Sequence, residues 1–266
     1  MTKHFEFGKN WSHFLHHLNN DRIKNAVESL CEMLEIENLK DKTFLDIGSG
    51  SGLFSLAAMN LHAGQVYSFD YDKQSVDCTA EIKCRYFPNS DNWTIKHGSV
   101  LDTNYLNSLG QFDIVYSWGV LHHTGQMWQS LKNVVPLVRK YGKLYIAIYN
   151  DQGRASYYWK IIKRIYNNLP KGLKFLILCP VFIRLWGFTI LRDILLGKAF
   201  HTWKNYERTR GMSPWCDVVD WVGGWPFEVA KPEEIFEFFK KSGFTLEKLK
   251  TCGGGYGNNE FVFTKL

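Results

Sequence analysis

The chain has 266 residues, of which 45% are hydrophobic, 16% aromatic and 22% charged, and its formal net charge is +6. That length and apolar content suit one α/β domain with decorations and exclude a disordered or low-complexity chain. Six cysteines (Cys31, Cys78, Cys84, Cys179, Cys216, Cys252) lie without C-x-x-C spacing, and Met1–Glu6 has no apolar h-region, so reduced thiols and a cytoplasmic location are expected.

In chain order, a first helix is expected from about 21 to 35, with Ile23, Ala26, Val27, Leu30 and Leu34 on one face. An aromatic segment holding Phe7 and Trp11 precedes it. Strands then follow at about 43–47, 65–70, 93–98, 112–117 and 143–149, with helices between them at about 52–61, 73–86 and 126–139. Strands separated by helical runs of this length imply right-handed crossovers and a mostly parallel, doubly wound α/β sheet. After Asn150 the alternation stops for about eighty residues. It resumes with a helix at 232–240 and two strands, about 244–251 and 259–264, joined by the turn Gly253-Gly254-Gly255-Tyr256-Gly257. The expected division is an N-terminal helical lid (1–40), a ligand-binding core (41–150), a helical cap (151–230) and a C-terminal helix and hairpin completing the sheet (231–266).

The cap is basic and aromatic. From Arg154 to Arg210 there are twelve Lys or Arg against Asp193 and Glu207, a net of +10, so the rest of the chain sums to −4. A substrate lid for an anionic small molecule, a surface lying on an anionic membrane, an RNA-tracking face and a merely solvated helical face all fit this composition. The anionic small molecule ranks first, since one deep pocket is expected and no separate nucleic-acid module is evident. The apolar run Phe175–Ile183 has basic neighbours. Lys174, Arg184 and Arg192 interrupt it, so a surface-lying segment is expected rather than a bilayer span.

Chemistry concentrates in Phe44-Leu45-Asp46-Ile47-Gly48-Ser49-Gly50-Ser51-Gly52, a buried strand ending in a glycine loop that feeds a helix. Such a junction turns backbone N–H groups and a helix dipole toward whatever lies above the strand. A dinucleotide loop needs G-x-G-x-x-G. Here Leu53 stands at the third glycine position, and Asp46 precedes the loop, where it would repel a pyrophosphate and hold an ammonium group.

This pattern resembles motif I of the class I S-adenosylmethionine (SAM)-dependent methyltransferases, and the resemblance continues over roughly 40–150 and, more weakly, 231–266. It implies a seven-stranded Rossmann-like sheet, SAM as cofactor and S-adenosylhomocysteine as product, with no metal. Asp46, Gly48, Ser49, Gly50 and Gly52 would form the cofactor loop. Asp70, ending Val66–Asp70, would take the ribose diol, with Tyr71 as a wall against adenine. His97–Asp102 is similar to the loop that closes over adenine, contributing Ser99 and Val100; the family often has an acid where Ser99 stands. Phe112–His123 resembles the fourth strand and its tail, with Trp118 near the cofactor. Gly142–Asn150 matches the fifth strand.

His122 and His123 follow the fourth strand and titrate near working pH, so either suits the general base that an alcohol acceptor needs; Asp151 is a further candidate. Trp11, Tyr149, Asn150, Trp225 and Asn258 are expected to touch the acceptor. His13, His16 and His17 read as surface histidines rather than a metal site. The expected reaction is O-methylation of a small anionic acceptor such as a sugar nucleotide or glycan precursor. Quinone or lipid O-methylation at a membrane surface, N-methylation, and non-catalytic SAM or RNA binding are the alternatives.

Overall fold

β1 (Thr43–Ile47) is buried almost throughout because both faces of the sheet around it are covered, which is why it reads as an apolar run rather than an alternation. The computed structural model describes residues 8, 11, 14, 15, 18–199, 201–210 and 214–266, with 207–210 described by backbone alone. Phe7, His13, His16 and His17 lie outside the described residues.

The core elements are α1 (Asn20–Leu34), β1, α2 (Leu53–Asn60), β2 (Gln65–Asp70), α3 (Lys73–Tyr86), β3 (Trp93–His97), α4 (Thr103–Asn107), β4 (Phe112–Trp118), α5 (Met127–Val134) and β5 (Val138–Tyr149). Four helices form the cap: α6 (Arg154–Asn168), α7 (Phe175–Leu195), α8 (His201–Arg210) and α9 (Pro214–Gly223). The chain ends with α10 (Pro232–Lys241), β6 (Phe244–Lys250) and β7 (Asn258–Lys265). The seven strands lie in the order β3-β2-β1-β4-β5-β7-β6. The first five run parallel, and β7 is antiparallel to both β5 and β6. This is the doubly wound sheet expected from the spacing of strands and helices.

Each sheet face carries its own core. One packs Leu30 and Leu34 of α1, Leu56 of α2 and Ile82 of α3 against Phe44 and Trp93. The other packs Leu131 and Val134 of α5 and Ile235 and Phe239 of α10 against Leu45, Leu144 and Phe263. Burying a side chain of this size contributes about 1.5–3 kcal/mol. Asn19 caps α1 by accepting from the Arg22 amide, and Asp72 caps α3 by accepting from Gln74.

Two boundaries differ from expectation. α5 stops at Val134 and β5 begins at Val138, because Pro136 supplies no N–H and the chain tightens into a 3-10 turn, Val135–Leu137. α4 was not expected; Asp102 caps it by accepting from the Tyr105 amide.

In the cap, Trp159, Tyr166, Leu178, Val181, Val218, Val222 and Phe227 form a third, smaller core. The segment Lys171–Leu195 spans 25 residues and holds an 18-residue window with a mean hydropathy of 1.8, long and apolar enough to cross a membrane by length and composition. The expectation that its charges forbid this does not hold. Between Phe175 and Leu191 the one charged residue is Arg184, while Lys174 and Arg192 lie toward the ends.

Candidate functional site

The crevice lies where β1 and β2 end. Gly48, Gly50 and Gly52 all have left-handed φ, of 76°, 55° and 83°. Space reinforces the requirement at all three, a Cβ on Gly52 falling 2.9 Å from Thr79 Cα. A Cβ on Gly48 would fall 2.5 Å from the Val120 methyls, and one on Gly50 would fall 3.0 Å from the indole of Trp11. Trp11 therefore lies on the glycine loop itself, and the nearby Gly8 amide donates to Asp72 Oδ2 at 2.8 Å. These contacts place Gly8 and Trp11 at the strand ends.

Most of the loop's amides are satisfied within the protein. Gly48 and Ser49 donate to the Phe69 carbonyl, Gly52 to Ser49 and Gly50 to Asp70 Oδ2. Parallel pairing of β1 with β2 brings these groups side by side, so the loop docks onto the next strand instead of presenting its full set of N–H groups outward.

Asp70 is thereby fixed from two sides, since its other carboxylate oxygen accepts from Asp72 N at 2.9 Å. Burial raises its pKa to about 6, against the lowering effect of the Asp72 and Gly50 amides. Tyr71 beside it is 62% exposed, and its carbonyl lies 2.8 Å from His97 Nε2. Ser99 folds back to accept from the Leu101 amide, while Val100 is buried and its carbonyl accepts from Asn133. Trp118 is 41% exposed at the end of β4, so it does not pack in the core.

Asp46 has a different position from the one its place in the motif suggests. It is 2% exposed and accepts from Ser55 Oγ in α2. Ser55 lies 2.7 Å from Ser68 Oγ, which accepts from the Trp93 indole N–H. Because the Ser55 proton is committed to Asp46, Ser68 donates to Ser55, and the chain from Trp93 through Ser68 and Ser55 runs toward the carboxylate. Burial raises the Asp46 pKa to about 7. Asp46 ties β1, α2, β2 and β3 together from below, and its side chain does not reach the loop surface. Ser55, Ser68 and Trp93 carry no local sequence signal for this, since they sit on separate elements.

The second half of the site gathers behind β4 and β5. His122, in the short 3-10 turn Leu121–His123, is fully buried, its ring 4.0 Å from that of Tyr149 and 4.5 Å from that of His123. Burial first, then the His123 and Lys163 charges, push its pKa well below the ordinary histidine value. Its Nδ1 accepts from the Tyr149 amide. His123 is half-buried, and its Nδ1 lies 2.7 Å from the Pro226 carbonyl. A carbonyl only accepts, so Nδ1 carries the proton and Nε2 is the basic nitrogen of the neutral ring.

Lys163 of α6 is fully buried beside these rings. Its Nζ donates to the Trp221 carbonyl and sits 4.2 Å over the Trp221 ring and 4.7 Å over Phe227. Burial lowers the Lys163 pKa and raises that of Asp220 nearby. This cationic, aromatic junction joins the cap to the strand ends, and spacing along the chain gives no sign of it.

Of the remaining expected residues, Asn150 Oδ1 accepts from Asn259 Nδ2 at 3.0 Å, and Asn258 pairs with Tyr149 across β5 and β7. Trp225 packs at the edge of the cap core. Asp151 Oδ1 accepts from the Gly153 amide and opens on a cleft of about 290 Å³ that also holds Trp128, Tyr157, Lys160 and Glu228. Glu228 caps α5 by accepting from the Met127 amide, and burial raises its pKa. The structure thus separates the expected residues into a crevice group (Trp11, the glycines, Asp70, Tyr71, Trp118) and a β4/β5 group (His122, His123, Tyr149, Asn150, Asp151). Among the described residues no group of three or more His, Cys, Asp or Glu side chains is placed to hold a metal ion.

Residues 45–144 match the family described as "Methyltransferase domain". Among curated proteins, the ribosomal protein L11 methyltransferase of Legionella pneumophila (strain Lens) is 46% identical over 56 residues, 21% of this chain and 19% of that protein. The chain thus aligns with about a fifth of that relative's length. Among solved structures, magnesium protoporphyrin IX methyltransferase from Synechocystis PCC 6803 with bound SAH superposes with a TM-score of 0.52 at 16% identity, covering 92% of this chain and 82% of that one. PKMT2 from Rickettsia typhi in complex with AdoHcy gives 0.58 at 14% identity, covering 90% and 52%. At these identities the likeness is one of fold.

Proposed function

We propose that this chain, whose core is a methyltransferase domain of the class I SAM-dependent fold, transfers a methyl group from SAM to a hydroxyl of a small acceptor held between the strand ends and the cap. The observation that carries this reading is the pairing of the left-handed glycine loop with Asp70, one strand over, beneath Trp11. The residues present fit the cofactor. The glycines let the loop turn tightly against Val120, Trp11 and Thr79 at the strand end, and Asp70 offers a two-oxygen acceptor suited to a vicinal diol. Tyr71 gives an exposed aromatic wall and Trp118 a second ring at the end of β4. SAM, when bound, supplies an electrophilic methyl carbon on a sulfonium.

The chain's own work is then alignment and proton removal. Holding an acceptor against a fixed methyl donor is worth up to about 7–11 kcal/mol. For an alcohol acceptor we assign the base to His123. Its Nδ1 is tied to Pro226, which orients the ring and leaves Nε2 basic. His122, wholly buried against Tyr149, would serve to position the loop. Asp151, on the neighbouring cleft, would orient acceptor hydroxyls as a hydrogen-bond acceptor.

Two carboxylates and one ammonium (Asp151, Glu228, Lys160) around that cleft suit a polyhydroxylated acceptor, and the basic cap suits one with a phosphate or carboxylate elsewhere. A sugar nucleotide or related glycan precursor combines both features. The test is calorimetric titration with SAM, followed by mass-spectrometric detection of S-adenosylhomocysteine released in the presence of a nucleotide-sugar library. SAM binding with turnover of a hydroxylated anionic acceptor is expected. Absence of SAM binding would overturn the methyltransferase reading, and turnover confined to uncharged acceptors would overturn the anionic one.

A further inference from the structure

We infer that α7 is a docking surface for an anionic lipid bilayer, lying in the plane of its headgroups. The helix packs on the cap through one face only, where Leu178 and Val181 are buried. Its opposite face is apolar and uncovered. Leu176, Ile183, Phe188, Leu191, Ile194 and Leu195 are each more than half exposed, with Phe188 at 79%. At about 100° per residue these positions fall within an arc of about 140°, so they line one side of the helix over roughly 28 Å at 1.5 Å per residue. Soluble proteins scatter single exposed apolar residues over their surfaces; a continuous stripe of this length calls for a partner.

Charge identifies that partner. Lys171, Arg184 and Lys198 flank or interrupt the stripe along the chain, and among the described residues none of them pairs with a carboxylate. Acids are scarce here: Asp193 is buried on the helix's inner side, where it accepts from Thr202. Long basic side chains around an apolar helix face can bury their stems and hold their charges at phosphate level. Each basic residue near an anionic membrane adds electrostatic attraction, and the apolar face adds its transfer from water. An apolar cleft of about 490 Å³ opens beside the stripe between α6 and α7, lined by Tyr158, Ile162, Pro180, Val181, Arg184 and Tyr256. An acyl chain or an aromatic anchor fits there with Arg184 at its rim. Docking in the plane, rather than crossing, follows from the packed inner face, which joins α7 to Trp159, Tyr166, Val218 and Val222 in the cap core.

The test uses the full chain with two vesicle preparations, phosphatidylcholine alone and an equimolar mixture with phosphatidylglycerol. Co-sedimentation with the mixed vesicles is expected, at least about tenfold weaker with phosphatidylcholine alone. The triple variant Ile183→Asp/Phe188→Asp/Leu191→Asp should abolish it. These side chains are outward, so circular dichroism and the thermal midpoint should stay near those of the parent chain. The inference is overturned if neither vesicle binds, or if the triple variant binds as well as the parent. It is also overturned if light scattering shows an oligomer that the variant disperses without vesicle binding, since the stripe would then join copies of this chain. Resistance to alkaline carbonate extraction from membranes of the expressing cell would overturn it in favour of a span. SAM titration of the same preparations reports separately on the proposed activity, so the two readings fail independently.

Discussion

If the Asp70 carboxylate takes the ribose diol, SAM affinity must follow its ionisation. Burial places that group at about 6, and the ionised form, with two acceptor oxygens, is the one that serves a diol. For a single group whose ionised form binds, the dissociation constant scales as one plus ten to the power of pKa minus pH. The factor is near unity at pH 7.5 and about 11 at pH 5, so affinity should weaken roughly tenfold between them. The sign is that of a proton released on binding below about pH 6, which the dependence of calorimetric heat on buffer ionisation enthalpy detects. Asp70→Asn keeps an oxygen for the Gly50 amide but loses the charge and one acceptor. A hydrogen bond to a charged group is worth about 1.5–3 kcal/mol, so the variant should bind about 10- to 150-fold more weakly, and without the pH dependence. A flat titration of the parent chain across this range, or parental affinity in Asp70→Asn, would refute the ribose assignment.

Other consequences can be measured on the same material. Gly48→Ala forces a side chain into left-handed backbone against Val120, costing about 1–2 kcal/mol in conformation alone. Adding Val120→Ala should recover the steric part and leave that remainder in the urea midpoint; full recovery would show that backbone conformation is irrelevant there. Lys163→Met leaves the buried Trp221 carbonyl without its donor, and should lower stability by about 1–3 kcal/mol. An unchanged midpoint in this variant would show that the junction does not hold the cap. Asp46 has a raised pKa, so its contribution to stability is present below its unfolded value and is lost as pH rises through about 7. Asp46→Asn should therefore flatten part of the fall in denaturant midpoint between pH 5 and pH 8, and an identical pH profile would contradict that burial. His123→Ala should lower turnover on an alcohol by about 10²–10⁴-fold with SAM affinity unchanged. His122→Ala should instead lower the thermal midpoint.

Local chemistry is what a sequence carries well, and the sheet was legible for that reason. Apolar runs such as Phe44–Ile47, punctuated by glycines with no tolerance for a side chain, predict strands, crossovers and the loop at Gly48–Gly52, because each depends on neighbours within a few residues. The hairpin of β6 and β7 follows equally from its glycine turn. Roles set by residues far apart in the chain were not legible. Asp46 looks like a ligand group in its motif, but it is claimed by Ser55, itself bonded to Ser68, only once α2 packs against β1 and β2. His122 and His123 are indistinguishable as neighbours in sequence. The packing of Tyr149 buries the first, and the Pro226 carbonyl, 103 residues away, orients the second. Lys163 reads as one more cation on a basic helix until the cap closes Trp221 and Phe227 around it. The tertiary structure decided these cases because burial and hydrogen-bond pairing depend on which surfaces meet, and the surfaces that meet here come from elements tens to a hundred residues apart.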